Sequence, residues 1–100
     1  MQGAFSEKGE RSRKILVVED EEILAAEIEL LLRRVGCSVV AKASCFEEAL
    51  SMALESKPDL ILMDIFLKGE RDGVEAAKAI LRKISLPIVY MTAASDRETL

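Results

Sequence analysis

Four short apolar runs recur along the chain, each separated from the next by a polar stretch long enough to hold a helix. The first, Lys14-Ile15-Leu16-Val17-Val18, is continuous and β-branched, and it stops at Glu19-Asp20. The second, residues 38–41, is brief and followed by Lys42, which suits a strand near a sheet edge. The third is the most apolar: Pro58-Asp59 turns the chain into Leu60-Ile61-Leu62-Met63, and the run ends on Asp64. So short and uniform a run predicts a strand buried on both faces. The fourth, Ile88-Val89-Tyr90-Met91, follows Pro87, which has no N–H to donate and is tolerated only where a strand begins. Thr92 stands at its tip.

Between the runs the period changes from two to about 3.6. Leu24, Ile28, Leu31, Leu32 and Val35 share one side of a helix beginning near Glu21, with Glu29 and Arg33 spaced as an i,i+4 pair and Gly36 placed to end it in a left-handed cap. Ser44 and Glu47 have capping-box spacing and open a second helix to about residue 56, offering Phe46, Ala49, Leu50, Ala53 and Leu54 to the sheet. A polar loop over 65–72 leads to Gly73, and a third helix spans 74–83 with Ala76, Ala77, Ile80 and Leu81 as packing residues. Ser95 and Glu98 start another helix. Four strands alternating with three complete helices and the beginning of a fourth predict an α/β fold with a doubly wound parallel sheet, since every connection can hold a crossover helix. Residues 1–13 read as a flexible N-terminal lead and residues 14–100 as one domain.

Composition narrows the function. Half the residues are hydrophobic but only 4% are aromatic, which describes an aliphatic core. The formal net charge of −4 provides no global field for nucleic acid or an anionic membrane, so direct binding to either is not expected. The basic stretch before the first strand could hold phosphate or simply be a solvated lead-in. Cys37 and Cys45 lack Cys-x-x-Cys spacing and the chain has no histidine, which argues against structural zinc or a redox pair. Two reduced cysteines, no apolar signal core and no run of membrane-spanning length give the expectation of a cytoplasmic protein.

The chemistry gathers at strand ends. Glu19 and Asp20, Asp64, and Thr92 each follow a different strand, and a parallel sheet brings such tips to one rim, where ligands of open α/β sheets bind. Taken singly, Asp64 can be a turn starter, Glu19 and Asp20 helix-capping acids, and Thr92 an ordinary strand-end residue. As a set they describe carboxylates that repel one another unless a cation neutralises them. Oxygen donors without sulfur or imidazole favour Mg²⁺, with Mn²⁺ as an alternative. Such a rim suits phosphoryl transfer: Asp64, on the most buried strand, as nucleophile; Asp20 as a direct metal ligand, with Glu19 acting directly or through water; and Thr92 contacting the phosphoryl group.

These motifs, in this order, resemble the response-regulator receiver domain of two-component signalling. The likeness rests on Ile15 through Glu21, Pro58 through Asp64, Asp72-Gly73, and Pro87 through Ala93, and it covers residues 14–100. It implies a flavodoxin-like sheet in which Asp64 accepts a phosphoryl group from a histidine kinase or phosphotransfer protein. It further implies that the Phe66 backbone carbonyl joins Glu19, Asp20 and Asp64 around the metal, and that Thr92 reorients toward the phosphoryl group in a conformational switch with slow autodephosphorylation. Two departures stand out. The proline common in the loop after the phosphoacceptor is replaced in Leu67-Lys68-Gly69-Glu70-Arg71-Asp72-Gly73, which is one residue longer than the commonest form. The family's fifth strand, its terminal lysine and the fifth helix have no counterpart in the chain, and Lys68 is a candidate partial substitute for that lysine. The fourth-strand edge and part of the first helix are then expected to be bare, favouring a homo-oligomer. A phosphorylation-independent interaction or dimerisation module is the competing reading, and a metal-dependent small-molecule phosphatase a third.

Overall fold

Each apolar run forms a strand in the computed structural model, which describes residues 12–92. The order is β1 (Lys14–Val18), α1 (Glu22–Arg34), β2 (Ser38–Ala43), α2 (Phe46–Ser56), β3 (Leu60–Asp64), α3 (Gly73–Leu81) and β4 (Ile88–Met91). The strands form one parallel sheet in the order β2-β1-β3-β4. The chain therefore starts in the middle, moves out to β2, then crosses back to β3 and β4. The direction reverses between β1 and β3, and the crevice beyond their C-terminal ends is the place such a sheet offers a ligand.

Right-handed crossovers put α1 on one face and α2 with α3 on the other. The period-two alternation of strand side chains agrees. Leu16, Val18, Ile61 and Met63 join one core with Ala43, Phe46, Ala49, Ala53, Leu67, Ala76, Ala77 and Ile80. Ile15 and Val17 are buried on the opposite face, where α1 packs over β1 and β2. That placement explains one departure from the sequence expectation. Of the apolar residues of β3, Ile61 and Met63 on the α2–α3 side are fully buried, while Leu60 and Leu62 on the other side are half-buried.

The local signals mostly hold, with shifts of a residue or two. Gly36, at φ +92°, closes α1 with Gly36 N–H donating to the Arg33 carbonyl and Cys37 N–H to that of Leu32, the paired bonds of a Schellman cap. The Glu29–Arg33 pair forms at 2.7 Å, and the other Glu29 oxygen takes Lys42 at 2.9 Å. At the start of α2 the side-chain contact falls on Glu48 rather than Glu47: Glu48 accepts from both the backbone N–H and the hydroxyl of Ser44, while Cys45 occupies the N-cap position. Strand β2 runs two residues past the expected end, to Ala43, because a bulge lets Val39 and Ala41 pair with consecutive residues of β1. Helix α3 ends at Leu81, short of 83.

Several expected packing residues face water instead. Leu31 is 59% exposed, Val35 75%, Leu54 38% and Leu81 50%. They lie on flanks of helices whose buried stripe is narrower than the apolar periodicity suggests. Strand β4 has Val89 and Tyr90 exposed, and among the described residues it pairs only with β3. No helix of the described residues is long and apolar enough to cross a membrane. Residues 1–11, within the expected lead, and the helix start expected at Ser95–Glu98 lie outside the described residues.

Candidate functional site

The register levels the strand tips. Val18 sits opposite Met63, so the next residues, Glu19 and Asp64, end their strands at the same height. Asp64 in turn is opposite Met91, which delivers Thr92 one step further along the same rim. Backbone bonds fix these ends: Glu19 N–H donates to the Ala43 carbonyl at 2.9 Å and Ile65 N–H to that of Met91 at 3.1 Å. Thr92 is exposed on this rim.

The three carboxylates predicted from sequence converge. Glu19, Asp20 and Asp64 each direct one oxygen so that the three atoms lie within 4.8 Å of one another. Glu19 and Asp64 are buried, at 6% and 3% exposure, and Asp20 is half-buried. Burial is the main force on Glu19, withdrawing its charge from water and raising its pKa; the Glu21 N–H, donated at 2.9 Å, opposes this, and the nearby Asp64 charge adds to the rise. The balance is pushed up from the ordinary 4.5 to about 7. No lysine or arginine of the described residues forms an ion pair with the cluster.

The loop after β3 completes the surroundings. Phe66 N–H donates to Asp64 Oδ1 at 3.0 Å, turning the backbone of the next residues around that carboxylate, while the Phe66 ring is 56% exposed. Leu67, the last apolar residue before the polar run 68–72, is only 6% exposed and belongs to the main core. Lys68 meets the cluster through its backbone: its N–H donates to Asp20 Oδ2 at 2.8 Å. Arg71 lies 4.4 Å from the centre of the Phe46 ring, and Asp72 caps α3 by accepting from Glu75 N–H at 3.0 Å.

Gly73 is the residue whose necessity sequence reading did not explain. A Cβ there would lie 1.9 Å from the carbonyl oxygen of Asp64. Its φ is not in the left-handed region, so what excludes a side chain is space: the first turn of α3 rests directly on the backbone of the central aspartate. The Asp72-Gly73 pair was its only signal in the sequence.

An all-oxygen set drawn together with no countercharge among the described residues has the donor chemistry of a hard divalent cation site. The cluster sits at the switch point of a 2-1-3-4 parallel sheet, and the sequence model of the response regulator receiver domain matches residues 15–100. The chain belongs to that family.

As a receiver domain it has curated relatives. The transcriptional regulatory protein PdtaR of Mycobacterium tuberculosis is 38% identical over 86 residues, covering 86% of this chain and 42% of PdtaR. The phyllosphere-induced regulator PhyR of Methylorubrum extorquens is 36% identical over 85 residues, 84% of this chain and 32% of that protein. The chain thus spans less than half the length of these relatives. A solved structure of anti-anti-sigma factor PhyR in complex with anti-sigma factor NepR, from Bartonella quintana, superposes with a TM-score of 0.79 at 33% identity, over 87% of this chain and 36% of that one. The expected fold class, a doubly wound receiver-type sheet, is the observed one.

Proposed function

We propose that this receiver is a phosphoacceptor module of two-component signalling in which Asp64 takes a phosphoryl group from the phosphohistidine of a histidine kinase or phosphotransfer protein. The convergence of three carboxylate oxygens within 4.8 Å around a buried central aspartate carries this reading. Glu19, Asp20 and Asp64 would hold Mg²⁺, with the Phe66 carbonyl as a further ligand. When bound, the ion would neutralise the cluster and offset the charge of the incoming phosphoryl oxygens.

The protein's own part follows from its geometry. Phe66 N–H holds Asp64 Oδ1 at 3.0 Å, which restricts carboxylate rotation and leaves Oδ2 as the attacking atom. An Asp64 oxygen forms the new bond to phosphorus while the bond to the donor imidazole nitrogen breaks, and that nitrogen keeps the electron pair. Thr92, one residue beyond the strand neighbouring Asp64, would bond the transferred group and couple it to the switch. Lys68 meets the cluster through its backbone N–H, which donates to Asp20 Oδ2, rather than through its ammonium. Beryllofluoride with Mg²⁺ tests the proposal: the wild-type chain is expected to bind it and to show spectral shifts at Asp64 and Thr92, and D64A to show neither. Equal binding by D64A would sink it.

A second reading draws on Ile23, Leu30, Leu31 and Val35, all more than half exposed on α1 and its C-cap, and on the exposed Val89 and Tyr90 of β4. Such surfaces suit a protein partner or a second copy, and a PhyR relative has been captured with a protein partner. In that reading the chain self-associates by light scattering, and neither D64A nor beryllofluoride alters the association. A monomer at tens of micromolar would refute self-association.

A further inference from the structure

The amide of Lys68 stands apart from the rest of the cluster. It is a backbone donor, it belongs to a loop 48 residues away from its acceptor, and it holds the carboxylate that lies nearest to solvent. Glu19 and Asp64 are buried among packed neighbours, which restricts their rotamers. Half-buried Asp20 is less confined: beside its cluster neighbour Glu19, its side chain takes the 2.8 Å bond from Lys68 N–H to Oδ2, which orients it from the side of the loop.

The loop is built to keep that donor in place. Immediately before it, Leu67 is sunk in the α2–α3 core at 6% exposure. Immediately after it, Gly69 takes φ +105°, a left-handed turn that L side chains rarely adopt. Farther on, Arg71 stacks on Phe46 and Asp72 caps α3. The amide is thereby held from both sides, independent of the side chain at position 68.

We propose that the Lys68 backbone amide is a positioning donor that holds Asp20 Oδ2 so that the other oxygen faces the cation site with Glu19 and Asp64. The inference rests on the reading of the three carboxylates as a divalent cation site. It makes the loop after β3 part of the metal site's supporting shell, and it makes the identity of residue 68 unimportant provided that the residue has an N–H.

Proline is the one residue that removes the donor. The test compares the full chain with K68A and K68P, using Mn²⁺ alone as the probe, followed by water-proton relaxation, with Mg²⁺ as competitor. K68A is expected to bind like the wild type, and K68P about tenfold more weakly, the size of effect that loss of a supporting hydrogen bond has on metal ligands. Equal affinity of K68P and wild type would overturn the positioning role while leaving the metal site standing. Absence of millimolar binding by the wild type would overturn both. Should K68P fail to fold, amide hydrogen exchange decides: Lys68 N–H is expected to be protected in the metal-free wild type and to lose protection in D20A. Free exchange in the wild type, or protection unchanged in D20A, would overturn the proposal.

Discussion

Replacing Gly73 by alanine tests how closely α3 and the central aspartate are built onto each other. The added Cβ would sit 1.9 Å from the Asp64 carbonyl oxygen, where about 3.3 Å is the close limit for a carbon–oxygen contact, so the two elements must part by about 1.4 Å. The opposing atoms are backbone, at 2.9 Å for the Asp64 carbonyl carbon and 3.0 Å for Ile65 Cα, so no side chain can turn aside. Separation breaks the 2.9 Å bond from Gly73 N–H to the Ile65 carbonyl and pulls Ala76, Ala77 and Ile80 from their seats in the core. A buried donor left unpaired costs about 1–3 kcal/mol and overpacking about 1–3 kcal/mol, giving about 2–6 kcal/mol together. Domains of this size have total stabilities of about 5–15 kcal/mol, so the loss is severe. Gly36→Ala is the control: it meets nothing within 4 Å but has φ +92°, so its cost is the left-handed penalty of about 1–2 kcal/mol. Urea unfolding followed by far-UV circular dichroism measures both. G73A is expected to unfold at markedly lower urea than G36A. A G73A midpoint equal to or above that of G36A would refute the steric argument.

The remaining predictions concern charge and packing. Glu19, with its pKa raised in the folded chain to about 7, takes up protons on folding between the unfolded value near 4.5 and 7. Its contribution therefore favours the metal-free fold below pH 4.5 and is lost as pH rises through 7; E19Q should flatten this part of a stability–pH profile, and an unchanged slope would refute the assignment. In the proposed cation site the same proton would compete with Mg²⁺, so Mg²⁺ affinity should weaken by up to about tenfold per pH unit on descending below 7; calorimetric titrations that find no pH dependence between 6 and 8 would contradict it. Leu67→Ala removes a large side chain from the core and should cost about 2–5 kcal/mol in urea unfolding. A loss below 1 kcal/mol would mean that the loop is not anchored through Leu67.

The strand tips were legible because the two periodicities, two in strands and 3.6 in helices, depend only on local sequence, and because connections long enough for helices imply a parallel sheet. That implication carries Glu19, Asp20, Asp64 and Thr92 to one rim without any coordinates. Gly36 was legible for a similar reason, since a Schellman cap is completed within six residues. The start of α2 was less so: Glu47 and Glu48 are both near enough to Ser44 to serve, and which one does depends on where the first turn begins.

Other features depend on distances between segments remote in sequence, and only the tertiary structure decided them. Helix periodicity marked Leu31, Val35 and Leu81 as apolar positions, but how much of each helix a sheet covers depends on where the helix lies across the strands. The pKa of Glu19 depends on burial and on Asp64, which is 45 residues away along the chain. The exclusion of a side chain at Gly73 depends on the approach of α3 to β3, and the role of Lys68 on a backbone amide that is the same in nearly every residue type. Sequence determined which chemical groups arrive at the rim, because their types and spacing are local; packing determined how those groups are held and charged, because that is set by what they meet there.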